Sequence, residues 1–271
     1  MAAPAPAHRR GGDDLRRARV AGSRFPCRTA PRRPRGGHRH AHEGVRAEGE
    51  DPSVSFLLRV ILPDKPGNLG AVASALGGAG ADILSVDVVE RGDGQAIDDI
   101  AVELSTHRPP DVLITAAESV PGVTVESVRP HTGQLDTHRE LELLDEIAGD
   151  PGHGLDLLAA EVPRLFRAGW ALVAVSEHGR SYRIAESSAA PETRTGDLPW
   201  LPLDRAIALD DGHWVPEPWR AMDTELAAAP FGTGVPPKTL VVGRPGGPVF
   251  RPSELARLAH LAGIVATVLK A

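Results

Sequence analysis

The stretch Val54-Ser55-Phe56-Leu57-Leu58-Arg59-Val60-Ile61-Leu62-Pro63-Asp64-Lys65-Pro66-Gly67-Asn68-Leu69 decides how the chain is read. Val54, Phe56, Leu58, Val60 and Leu62 alternate with Ser55, Leu57, Arg59 and Ile61, the period-two pattern of a strand whose first set faces a core. The second set is half apolar too, so Leu57 and Ile61 need cover, from a second subunit or from another domain of the chain. Pro63 to Asn68 makes a turn, and Leu69, Val72, Ala73 and Leu76 follow at helical spacing until Gly77-Gly78 and Gly80 close a short helix. Residues 83–90 and 96–104 read as two strands joined by Arg91-Gly92-Asp93-Gly94-Gln95, where Asp93-Gly94 supplies the positive φ of a hairpin. Pro109-Pro110 opens a helix through Glu118, Pro121-Gly122 turns the chain, and residues 123–128 form a fourth strand. The order is βαββαβ.

Length leaves room for more than this unit. At 271 residues the chain holds two modest domains. Residues 1–50 carry 12 Arg and five acidic residues, so the remaining chain, with 18 basic and 31 acidic residues, is strongly negative. An acidic body repels phosphate backbones and argues against nucleic-acid binding. The leader, with Arg32-Arg33-Pro34-Arg35 and His38-Arg39-His40, has no apolar periodicity and reads as disordered. It also lacks the apolar run of a secretory signal. A nucleic-acid arm or a metal site at His38, His40 and His42 is the sharper alternative. The longest nearly apolar stretch, residues 170–175, is far short of a membrane span. The single Cys27 cannot close an intramolecular disulfide, which fits a reducing compartment and a cytoplasmic location.

The βαββαβ order, together with Asp64-Lys65-Pro66-Gly67-Asn68-Leu69 and Gly80-Ala81-Asp82-Ile83, resembles the ACT domain family over residues 53–130. The resemblance implies a ferredoxin-like module that binds an amino acid or related metabolite at an interface between two modules. It names Asp64, Gly67, Asn68, Leu69, Asp82 and Ile83 as ligand-binding. The residues themselves support that chemistry. Gly67 lets backbone approach a ligand, and the helix starting near Asn68 offers free N–H groups to a carboxylate. Asp64 and Asp82, if both lie near that seat, offer acceptors to an ammonium group. The plainer alternative is that Pro66-Gly67 only makes the turn and Asp64 only caps the helix.

Residues 131–152 read as a helical connector with the stripe Leu141, Leu144 and Ile147. Beyond it, Leu155, Leu158, Ala159, Val162, Leu165 and Phe166 follow a helical face, and residues 170–176 and 182–186 pair as strands. A long excursion with Trp200, Trp214 and Trp219 runs over residues 191–237. Residues 239–243 form a strand, and Leu255, Leu258, Ala262, Val265 and Leu269 mark a closing helix. Residues 153–271 with their Phe250-Arg251-Pro252-Ser253-Glu254-Leu255 helix start resemble a GAF domain, implying an antiparallel sheet with packed terminal helices. Such domains bind small molecules over the sheet or dimerise through those helices.

Trp200, Trp214, Trp219 and Phe231 are candidates for lining a pocket or for core. Gly232 to Thr239 is no phosphate loop, because Pro237 precedes Lys238 and a strand follows. His213 beside Asp210 and Asp211 reads as an exposed turn, with metal binding or base catalysis as the alternative. No catalytic or metal motif and no cofactor signature occurs. The expected protein is an α+β, homodimeric small-molecule sensor that signals to a protein partner and involves neither nucleic acid nor membrane. The alternative is an enzyme with an unrecognised site in its C-terminal domain.

Overall fold

The computed structural model describes residues 53–131, 138–192, 198–209, 212, 214–232 and 234–270. The readings of residues 1–50, of His38, His40 and His42, and of Asp210, Asp211 and His213 fall outside them.

The alternation that opens the sequence becomes β1 (Ser53–Pro63), followed by α1 (Asn68–Gly78), β2 (Ala81–Gly92), β3 (Gln95–Ser105), α2 (Asp111–Glu118) and β4 (Thr124–Pro130). All pairs are antiparallel and the sheet order is β2-β3-β1-β4. Leu58, Val60 and Leu62 meet Ile100, Val102 and Leu104 on the face that packs against Val72, Leu76 and Leu113 of the helices. Val54, at the strand's beginning, is exposed instead. Cutting Leu58 to Ala leaves a cavity in this core at a cost of about 2–5 kcal/mol.

The second sheet comprises β5 (Trp170–Glu177), β6 (Arg180–Glu186), β7 (Ile207–Leu209), β8 (Glu225–Phe231) and β9 (Lys238–Arg244), in the order β6-β5-β9-β8-β7. Its helices are α3 (Arg139–Gly149), α4 (Gly154–Leu165), the short α5 (Glu217–Arg220) and α6 (Pro252–Val268). The core on one face combines Leu143, Ile147, Leu158, Val162, Leu258, Leu261 and Val265 of the helices with Val173, Leu240 and Val242 of the sheet. Two expectations are corrected. The connector helix is part of this core through Leu143 and Ile147, whereas Leu141, placed in the stripe by the sequence, is 66% exposed. The excursion hides a central strand, β8, whose Leu226-Ala227-Ala228-Ala229 run has low strand propensity. Small side chains suit it because both faces are covered, by α6 on one side and by tryptophans on the other.

β1 has its other face covered from within the chain. Leu57 is buried, and so is Arg59, at 1% exposure. The Arg59 guanidinium grips Asp99 of β3 through Nε and Nη2, both at 2.8 Å, and reaches Glu254 at the start of α6 through Nη1 and Nη2, both at 3.1 Å. Glu254 also accepts from Arg244 Nη2 at 2.7 Å and from the Arg251 amide at 2.9 Å, which caps α6. Arg167, at φ +51°, spans Asp99 and Asp87. Arg251 pairs with Glu126. The cover that the sequence left open between a second subunit and another domain is therefore this chain's own second module.

Burial alone would push the Glu254 carboxyl up; the hydrogen bond from Arg59 and the charge and hydrogen bond of Arg244 overcome it and hold the group at about 2, below its ordinary 4.5. A depressed carboxylate contributes stability that is complete above its unfolded value and is lost as pH falls through its folded one. Glu254→Ala is expected to cost about 3–5 kcal/mol at pH 7, because two buried guanidinium groups lose their partner. In urea titrations the gap between wild type and this variant should narrow as pH falls from about 4.5 to about 2; a gap independent of pH would contradict the charge assignment.

Candidate ligand-binding site

The β1–α1 turn has the backbone that the sequence required. Gly67 stands at the N-cap of α1 with φ +92° and ψ −19°, a left-handed conformation that costs a residue with a side chain about 1–2 kcal/mol. No side chain caps the helix, so Asp64 does not act as its cap. The Asn68 amide donates to Lys65 O at 3.2 Å and its side chain to Pro63 O at 2.9 Å, which locks the turn. Ala71 N donates back to Gly67 O at 2.9 Å. The Leu69 and Gly70 amides have no acceptor among the described residues and lie at the positive end of α1. A Cβ on Gly67 would meet nothing within 4 Å, so the space above the turn is open.

The remaining sequence-derived residues divide. Leu69 and Ile83 pack against the core of the first module, which leaves Leu69 only its amide to offer a ligand. Asp64 is held at this end of the sheet by its amide, which donates to Gly94 O at 2.9 Å, and its side chain lies 4.0 Å from Arg91 Nε. Asp82 sits at the other end, opposite Glu103 in the register of β2 with β3. Gly94 and Glu103 are nine positions apart along β3 and the turn before it, which is about 30 Å of strand. Within one copy the two aspartates therefore cannot share a ligand, contrary to the expectation that both lie near the turn.

A residue the sequence reading passed over fills the gap. Asp98 of β3 is 2% exposed, in register with Val60 on one side and Val88 on the other, on the same face as α1. Its Oδ1 is buried without a hydrogen-bond partner. Burial pushes the Asp98 carboxyl above its ordinary value; Arg91 opposes this, and the charges of Asp64 and Asp99 add to it. Asp98 and Asp64 thus lie close enough to repel each other, with Arg91 the cation that acts on both. The signal was present as Ala96-Ile97-Asp98-Asp99-Ile100-Ala101: two adjacent acids inside an apolar strand place one carboxylate on each buried face.

The second module offers less. Trp170 and Trp219 pack with ring centroids 5.4 Å apart and Trp200 and Trp214 at 5.5 Å, filling the second face of that sheet with Leu209, Val215 and Leu226. Trp170 lies so close to Gly243 that a Cβ there would fall 2.0 Å from its ring. Phe231 belongs to the helical core on the opposite face. Among the described residues Trp170 and Trp219 are core, and Trp200 and Trp214 pack against that core partly buried. A groove of about 440 Å³ runs between α3 and α6, lined by Leu141, Leu144, His260, Leu261 and Ile264 and bridged by Glu140 and Arg257. No group of three or more His, Cys, Asp or Glu placed to hold a metal occurs among the described residues.

A buried carboxylate with one oxygen left unpartnered is a cost that neutralisation reduces. Asp98→Asn is expected to raise the unfolding midpoint at pH 7 by about 2 °C or more. That gain should shrink in acid, since a raised carboxyl pKa penalises the fold only while the group is ionised. Scanning calorimetry at several pH values checks it; a lower midpoint for the variant at pH 7 would show that Asp98 is satisfied.

No family model matches the chain, and no curated protein matches it. About half of the chain is similar in fold to solved GAF domains, at low scores. The GAF domain of Acinetobacter phosphoenolpyruvate-protein phosphotransferase is 13% identical, covering 50% of this chain and 95% of that one, with a TM-score of 0.38. Free methionine-R-sulfoxide reductase from Neisseria meningitidis, solved with its substrate, is 14% identical over 52% of this chain and 94% of that one, with a TM-score of 0.41. The C-terminal domain of the MgtC protein from Mycobacterium tuberculosis is 17% identical over 32% of this chain and 96% of that one, with a TM-score of 0.25.

Proposed function

We propose that this protein is a small-molecule-sensing regulator whose first module is a ferredoxin-like ACT module. It binds an amino acid or a related zwitterionic metabolite at the β1–α1 turn. The buried Asp98 carboxylate beside an uncapped helix terminus carries the reading. An ammonium group adds a second cation beside Arg91 for Asp98 and Asp64, and the carboxylate of the same molecule takes the Leu69 and Gly70 amides across the open backbone of Gly67. The sheet order β2-β3-β1-β4 with two helices on one face supports the module assignment. The five-stranded antiparallel sheet with packed terminal helices supports a GAF-like second module.

The acting form is a homodimer joined along β2. This 12-residue strand is an edge of its sheet and exposes Leu84, Val86 and Val88. Two such edges running antiparallel bring Asp82 of a second copy toward Arg91 and Asp64 of the first, so Asp82 completes the site from across the interface. Ligand binding then reaches the second module through β3, where Asp98 lies on the face that carries α1 and Asp99 holds Arg59. A protein partner reads the resulting change.

A thermal-shift screen of the 20 amino acids on the full chain tests the ligand. At 100 times its Kd a true ligand adds about 2.7 kcal/mol, a shift of several degrees. That shift is expected to vanish in Asp98→Asn and Gly67→Val; no shift with any amino acid, or an equal shift in both variants, would refute the reading. Light scattering tests the interface. Val86→Lys with Val88→Lys should turn a dimer into a monomer, and a monomeric wild type at high micromolar concentration, with and without ligand, rules the dimer out.

A further inference from the structure

The junction between the two sheets holds a second site of opposite charge. Arg59, Arg167 and Arg244 are matched there by Asp99, Glu254 and Asp87. Arg129 of β4 is a fourth guanidinium on the same face, opposite Leu57 in the register, and no carboxylate pairs with it among the described residues. Its Nη1 donates to Arg167 O at 3.1 Å. Its Nε and Nη2 are buried without a partner. These two donors form the edge with which Arg59 grips Asp99, the geometry that accepts a carboxylate or phosphate bidentately. Two residues away on the same face, Ser127 Oγ is also buried and unpartnered, and so is Arg244 Nε. Burial and the repulsion of Arg244 lower the Arg129 guanidinium to about 10, against the pull of Asp99.

We propose that a single oxyanion, a carboxylate or phosphate group, binds at this junction in the Nε/Nη2 fork of Arg129, with Ser127 Oγ as a further donor. Geometry carries it: Arg129 is the guanidinium of this cluster that no carboxylate pairs with among the described residues, and its unpartnered edge has the shape of an oxyanion's partner. The anion gives Arg129 a direct partner and fastens β4 to the α4–β5 turn that carries Arg167. This site is separate from the β1–α1 turn, so the two proposals stand or fall independently.

Thermal unfolding of the full chain in inorganic phosphate, acetate or chloride at one ionic strength tests the site, with Arg129→Met and Arg129→Lys beside wild type. Wild type should be stabilised saturably by phosphate or acetate over chloride, the stronger of the two identifying the group preferred. The apparent affinity should fall at least tenfold in both variants, since lysine keeps the charge without the fork. Without added oxyanion Arg129→Met should be as stable as wild type or more so, because it removes an uncompensated buried charge. A wild type that does not distinguish oxyanion from chloride would overturn the proposal. So would an equal anion response in all three proteins, or a loss of stability in Arg129→Met that no anion affects. Should the methionine variant fail to fold, Arg129→Lys gives the same reading.

Discussion

One guanidinium, that of Arg59, lies in the middle of the first strand and ties together elements from both ends of the chain. It is 1% exposed and carries two carboxylates, Asp99 from the neighbouring strand and Glu254 from a helix 195 residues away. Burying such groups costs several kcal/mol each unless every donor and acceptor is met, so the cluster tolerates little displacement. Glu254 serves three partners at once: it caps α6, binds Arg244 and binds Arg59. Arg244 in turn lies over the Phe250 ring, 3.9 Å from its centroid, and donates to Phe166 O at 2.6 Å. The ion cluster thereby fixes the start of the closing helix, the end of β9 and the turn after α4 in a single geometry.

That geometry gives β3 two different faces at adjacent residues. Asp98 lies on the face that carries α1, with one oxygen left without a hydrogen-bond partner, while Asp99 looks into the cluster with its charge shared by two arginines. Side chains alternate across a strand, so these two carboxylates of consecutive residues stand on opposite faces of the sheet, one residue apart. The charge of Asp99 beside it raises the Asp98 carboxyl further.

The second module has both faces of its sheet occupied. Helices cover one, and a layer of tryptophans with the short β7 and α5 covers the other. At Gly243 the Trp170 ring lies directly against the backbone. The surface it presents instead is the groove between α3 and α6, whose apolar residues are bridged by a charged pair.

Local pattern accounts for the elements of the first module almost completely. Period-two alternation gave β1, Gly67 after Pro66 gave the turn, Asp93-Gly94 gave the hairpin, and local spacing gave both helices, since each of these signals lies within a few residues of what it specifies. It also determined the outer helices and the β5–β6 hairpin of the second module. It did not reveal β8, because an alanine run becomes a strand only when neighbours cover both its faces, nor the role of the tryptophans, which depends on what faces them. The fate of Arg59, Asp98, Asp99, Arg129 and Glu254 was decided by tertiary structure alone. Whether a charge is paired, shared or stranded depends on residues up to 195 positions away, and no local pattern carries that information. Asp64 and Asp82 make the same point in reverse: only 18 positions apart in the chain, they are set about 30 Å apart by the helix and strand register between them.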